Sequence, residues 1–265
     1  MQQPDLVSST STVDYEIPLA QKIRKDIVRA LNDFDMIQSN DRIMVCVSGG
    51  KDSTILALLF KEIQRRAEID FEFECVCLDQ KQPGFDASQF VQFYHANGLK
   101  LTIVERDTYT VVKEKTPAGK AYCTLCSKFR RAILYDQATS FGIKKLALGH
   151  HRDDLIETLF LNMFYVGHIS SMPPKLVSDE GSHTVIRPLC YVKEDDLIAL
   201  MKLWNFPIIP CNLCGSQEGL KRKKMKKLIK EIEVDIPNVT ASLMSAMKNV
   251  KPSHLMDSSL WKFND

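Results

Sequence analysis

The sequence has almost no net charge: 35 Lys and Arg against 33 Asp and Glu leave +2 over 265 residues. Bulk attraction to a polyanion is thereby excluded, and any nucleic-acid contact must come from local patches. Long apolar runs are missing too. The longest, "TILALLF", is far short of the ~20 residues that cross a bilayer, so no membrane association is expected. The opening "MQQPDLVSSTSTVDYE" has neither a basic segment nor an apolar core, which argues against a secretory signal and for a soluble, cytoplasmic protein. There is no internal repeat, no low-complexity tract and no aromatic motif of the RNP type. What is present in quantity is apolar side chain, 45% of the chain, enough for a sizeable core in one α/β domain with or without a small appendage.

Periodicity sets out the elements. "PLAQKIRKDIVRALNDF" has apolar residues at helical spacing, and "RIMVCVS" is a compact apolar strand. "DSTILALLFKEIQRRA" reads as a helix, "DFEFECVCLD" as a strand entering a sheet interior, "DASQFVQFYHANG" as a helix and "LKLTIVER" as a strand. Asp107 to Ala121 is a looser stretch leading into "CTLC". "SKFRRAILYDQATSFG", "IKKLALGHH" and "DDLIETLFLNMFYVG" continue as helix, strand and helix. The alternation predicts a doubly wound parallel sheet. Beyond Gly167 come a loop, "SSMPPKLVSDEGSH", a short strand "TVIRPL", a helix "KEDDLIALMKLW", the Pro-rich turn "FPIIPCNLCGSQ" and two further helical segments.

The first strand runs into "SGGKDS", which looks like a phosphate cradle but is not a Walker A loop. That loop requires Gly, four residues, then Gly-Lys and a hydroxyl. Here Val45 stands at the first glycine and Asp52 at the hydroxyl. At the carboxyl edge of a parallel sheet, Gly49 and Gly50 allow close backbone approach to an anion. The helix N-terminus offers free N–H groups, Ser48 and Ser53 offer hydroxyls, and Lys51 a compact charge. Asp52 suits such a site if Mg²⁺ or a backbone cap is near.

"SGGKDS" resembles the PP-loop of the N-type ATP pyrophosphatases, which hold the pyrophosphate of ATP and adenylate a carbonyl or carboxyl oxygen. The blocks "LDQKQPGF", "KTPAGKAYCTLCSKFRR", "ALGHHRDDLIETLFLNMFYVG", "MPPKL", "VIRPLCYVKEDDL" and "FPIIPCNLCGSQE" together resemble the tRNA 2-thiocytidine synthetases. That resemblance implies a PP-loop domain over 41–205, a tail and helix over 1–40, and a cysteine-pair turn with a basic helical extension over 206–265. It also implies ATP, Mg²⁺, a tRNA substrate thiolated at cytidine, a sulfur-donor protein such as a cysteine desulfurase, and often a homodimer. Rival readings are a PP-loop enzyme making 2-thiouridine or lysidine, a persulfide-forming thiolase, and a zinc-stabilised RNA-binding module. The 2-thiouridine relatives with zinc fingers carry C-x-x-C pairs near the N-terminus, and none precedes Cys123 here.

Eight cysteines are present. Cys46, Cys75 and Cys77 lie in strands and read as small buried hydrophobes. The pairs "CTLC" and "CNLC" could build a zinc site, a redox pair or a cluster. The resemblance implies a 4Fe-4S cluster on Cys123, Cys126 and Cys214, with Cys211 as the alternative third ligand; one iron is then left open for sulfide. His150 and His151 end a strand as metal ligands, bases or packing groups. Asp153 and Asp154 are helix caps, or Asp154 helps to hold Mg²⁺, and Asp79 reaches the same edge to bind the nucleoside part of ATP. Basic residues gather at 113–115 with Lys120, at 127–131 and at 221–230, the last with seven in ten. Beside an adenylation site these are expected to meet RNA phosphates.

Overall fold

The structure, a computed structural model, describes residues 11–115, 123–209 and 217–262, with backbone only at 123–124 and 217–220. In chain order the elements are α1 (Pro18–Asp33), β1 (Asp41–Val47), α2 (Lys51–Arg66), β2 (Phe71–Asp79), α3 (Ser88–Ala96), β3 (Leu101–Glu105), α4 (Tyr109–Lys115) and α5 (Cys123–Ser140). They continue with β4 (Lys145–Leu148), α6 (Arg152–Tyr165), β5 (Lys175–Val177), β6 (Thr184–Ile186), α7 (Glu194–Trp204), α8 (Gln217–Asp235) and α9 (Val239–Lys248). A short 3₁₀ turn follows at Pro252–His254.

Among the described residues the strands form one sheet, ordered β3-β2-β1-β4-β6-β5. All neighbours pair parallel except β5 with β6. The doubly wound expectation therefore holds, with one antiparallel edge strand. Pleating explains how both faces are covered. Ile43, Val45 and Val47 of β1 enter one apolar cluster with α1, α2, α3 and α7, while Met44 and Cys46 enter a second beneath α5. In β2, Cys75 and Cys77 face the first cluster and Val76 the second. Cys46, Cys75 and Cys77 are buried, and burial pushes each thiol up to about 12, so they pack as apolar groups.

Two elements differ from the sequence reading. The looser stretch after Asp107 contains α4, and the loop after Gly167 contains β5. Among the described residues no helix is long and apolar enough to cross a membrane.

The parallel strands order the molecule for function, since their carboxyl ends share one edge. β1 delivers Ser48 to Gly50 there, β2 Asp79 and Gln80, β4 Gly149 to His151, and β6 Arg187.

Candidate active site

The loop between β1 and α2 is held by its own hydroxyls. Ser48 N donates to Ser53 Oγ at 3.0 Å, the Ser48 and Ser53 hydroxyls lie 3.1 Å apart, and Gly50 N donates to Ser48 Oγ at 3.3 Å. Thr54 Oγ1 and Ser53 Oγ donate back to the Gly50 carbonyl at 2.9 and 3.3 Å. Gly49 sits at φ +82°, and a Cβ there would lie 2.7 Å from Ile209 Cβ; Ile209 N donates to the Gly49 carbonyl at 3.0 Å. Gly49 therefore meets two demands that exclude a side chain. The start of α2 presents its N–H groups beside this turn.

Lys51 and Asp52 open α2. Lys51 Nζ lies 3.1 Å from Asp52 Oδ1 but hydrogen bonds to Oδ2 at 3.2 Å, so buried Oδ1 has no hydrogen-bond partner. Burial raises the Asp52 carboxyl, partly offset by Lys51 and His151, while Asp154 raises it further. A carboxylate oxygen without a hydrogen bond, within the field of Asp154, is the kind of donor a hard divalent cation takes, though among the described residues no group of three or more His, Cys, Asp or Glu is gathered to hold a metal.

β4 ends against this loop. A Cβ on Gly149 would come within 2.8 Å of Ser53 N, so the strand end and the start of α2 touch through backbone. His151 then caps α6: its Nδ1 accepts from Asp154 N at 3.4 Å, and Asp154 Oδ2 accepts from His151 N at 3.0 Å. Capping expected of the acids is thus shared with His151. Asp153 Oδ2 accepts from Glu194 N at 2.8 Å, tying α6 to α7. His150 is partly exposed but its Nδ1 is buried without a partner, and burial lowers its pKa to about 4, leaving the ring neutral.

Sequence reasoning missed the ion network around these groups. Glu194, first residue of α7, lies 3.7 Å from Lys51 Nζ and hydrogen bonds to Lys226 of α8. Burial raises its carboxyl, but Lys226, His151 and Lys51 together hold it below the ordinary range. Arg222 of α8 reaches Asp154 Oδ1 at 3.4 Å and Glu157 Oε2 at 3.8 Å. Two members of the basic run, Arg222 and Lys226, thus face acids of α6 and α7. Lys221, Lys223, Lys224, Lys227 and Lys230 are exposed. Which cation meets which acid depends on helix docking, so composition alone gave no signal.

At the end of β2, Asp79 is buried and accepts from Lys81 N at 2.7 Å. Its neighbour Gln80, also missed, joins this edge to α5. Gln80 Nε2 donates to Thr108 Oγ1 at 2.8 Å and to Cys126 Sγ at 3.4 Å, while Oε1 accepts from Arg130 Nη2 at 2.8 Å. Cys126 is a free, half-buried thiol. Cys123 is the first residue of α5, so the two cysteines of "CTLC" share its first turn. The Cys123 side chain, Lys120, Cys211 and Cys214 lie outside the described residues.

The parallel sheet and the Gly-Gly loop at its carboxyl edge are those of a PP-loop protein, and residues 19–207 match the PP-loop domain family. The chain is 57% identical to the tRNA-cytidine(32) 2-sulfurtransferase of Bdellovibrio bacteriovorus over 96% of its own length and 98% of that protein. It is 51% identical to the protein of that name from Tolumonas auensis, over 92% of this chain and 81% of the other. Within the PP-loop class, the chain belongs to the tRNA-cytidine(32) 2-sulfurtransferase family. Among solved structures, the U34-tRNA thiolase NcsA from Methanococcus maripaludis, with its 4Fe-4S cluster, superposes with a TM-score of 0.69. That match covers 88% of this chain and 80% of the thiolase at 19% identity, a likeness of fold.

Proposed function

We infer that the protein is an ATP-dependent tRNA sulfurtransferase that replaces the C2 oxygen of cytidine 32 with sulfur. The observation carrying this is 57% identity along 96% of the chain to a protein of that activity, with "SGGKDS" intact at the sheet edge. The turn from Ser48 to Ser53 cradles the pyrophosphate of ATP, Asp79 orients the nucleoside, and Asp52 and Asp154 would hold Mg²⁺, which would neutralise phosphate charge there. The C2 oxygen of the extruded cytidine attacks the α-phosphate, and the bond to pyrophosphate breaks. Sulfide then adds at C2, and the C2–O bond breaks to release AMP. Lys51 stabilises the departing charge.

Cys123, Cys126 and Cys214 would hold a 4Fe-4S cluster, with Cys211 as the other candidate for the third ligand; such a cluster supplies sulfide in a metal-held, deprotonated form. Support comes from the shared first turn of Cys123 and Cys126, and from Gln80, which bonds both Cys126 and Arg130 and so ties the start of α5 to the end of β2. A sulfur-donor protein, a homodimer and a cytoplasmic setting complete the reading. The test combines anaerobic protein, unmodified tRNA, ATP, Mg²⁺ and sulfide, with nucleosides identified by mass spectrometry. ATP-dependent 2-thiocytidine is expected from the wild type and none from Cys126→Ala, whose iron content should also fall. Thiolation of a different base would overturn the substrate assignment.

A further inference from the structure

Arg187 is a buried cation with no counter-ion among the described residues. It follows β6 directly, at the edge that carries the phosphate loop, and is only 9% exposed. The other buried carboxylates and guanidiniums among the described residues are matched: Glu62 by Arg24, Arg65 and Arg66, Asp79 by Lys81, Arg152 by Asp153, and Glu157 by Arg222. Arg187 Nη1 donates to the Pro173 carbonyl at 2.5 Å, while Nε is buried with no partner. Burial lowers its pKa, and the ionisable groups it feels most are Tyr135, Arg131 and Cys190, none of them a carboxylate. Burying a guanidinium this way is costly unless an anion completes the site.

A second unsatisfied group lies alongside. β4 and β6 pair with Ala147 opposite Ile186, which sets Arg187 next to the turn after β4. His150 in that turn has its buried Nδ1 unpartnered, and the Arg187 charge is close enough to lower its pKa. The same turn touches the start of α2 through Gly149, so the turn that carries His150 adjoins the loop after β1. A forked cation with an open N–H, beside a neutral imidazole, matches an oxyanion with several acceptor oxygens.

We propose that Arg187 and His150 form a phosphate site distinct from the pyrophosphate cradle, taking either the nucleotide's α-phosphate or a phosphodiester flanking the target base. The proposal rests on the reading of this edge as an adenylation site. In the first case Arg187 donates to the non-bridging oxygens of the phosphate under attack and stabilises the charge that develops on them. In the second it fixes the tRNA backbone so that the extruded base meets ATP.

The test uses Arg187→Met and Arg187→Lys in the full chain, with AMP, pyrophosphate and unmodified tRNA as separate probes by calorimetry, and with ligand-free melting. An α-phosphate site predicts ~10-fold or greater loss of AMP affinity in Arg187→Met, pyrophosphate affinity retained, and a partial loss in Arg187→Lys. A phosphodiester site predicts unchanged AMP binding and a comparable loss for tRNA. Either way the ligand-free Met variant should melt no lower than wild type, because an uncompensated charge has been removed. Retained affinity for AMP and tRNA would overturn the proposal. So would a lower melting point with all three ligands weakened alike, which marks a structural side chain. AMP and pyrophosphate binding need no thiolation, so a wild type that binds AMP through Arg187 but makes no 2-thiocytidine would sink the functional reading alone.

Discussion

Gly149 has an ordinary backbone conformation, yet its missing Cβ lets β4 rest on the start of α2. A methyl group there would sit 2.8 Å from Ser53 N and 3.0 Å from Ser53 Cα, and backbone cannot give way as a side-chain tip can. Gly149→Ala should therefore push β4 away from the phosphate loop, destabilising the fold by about 1–3 kcal/mol. Pyrophosphate affinity should fall with it. Chemical denaturation and calorimetry read the two effects, and unchanged affinity would show that the contact does not shape the loop. Gly49 and Gly50 were legible in the sequence because they sit in a local motif between a strand and a helix. Gly149 was not, because its constraint is a contact with a residue far away in the chain.

At the scale of elements, α8 shows what a charge run conceals. Met225 and Ile229 are buried, Arg222 reaches α6, and Lys226 meets Glu194, which also faces Lys51. Beneath Arg222, burial raises Glu157 from the ordinary 4.5 to about 7, with Asp154 adding to the rise and Arg222 opposing it. A folded pKa above the unfolded one means a stabilising contribution that is complete below pH 4.5 and lost as pH rises through about 7. Glu157→Gln mimics the neutral acid. Relative to wild type it should gain stability as pH rises from about 5 to 8, by up to ~3 kcal/mol, as urea melts at the two pH values would show. A pH-independent difference would mean that Glu157 ionises freely under α8. Long periodic helices such as α2 were legible, because their apolar spacing is a local property. The seven-residue α4 and three-residue β5 were not. β5 follows a Pro-Pro pair and exists through antiparallel pairing with β6, a partnership that three residues cannot announce.

Across the whole molecule, parallel strands gather residues from four distant segments at one edge, and alternation of strands and helices was enough to foresee that. It also foresaw the Gly-Gly loop there, but not which lysines turn outward. The cysteines of "CTLC" open α5, and Gln80 at the end of β2 hydrogen bonds to Cys126, so under the proposed function sulfur would be delivered at the edge that takes ATP. A tRNA that inserts a base there must lay its backbone over the surrounding surface, where a net charge of +2 provides no general attraction. The exposed lysines of α8 supply a local one. Lys223 and Lys224 have no acid partner among the described residues, and Lys227 has only the exposed Glu231 at 3.6 Å. Replacing Lys223, Lys224 and Lys227 with Gln should weaken tRNA binding and make the slope of log affinity against log salt shallower by about 2–3. ATP affinity and melting point should stay at wild-type values, because none of the three touches the nucleotide edge or the core. If the salt slope is unchanged, the tRNA approaches over another face, and α8 serves to hold Asp154, Glu157 and Glu194 in place.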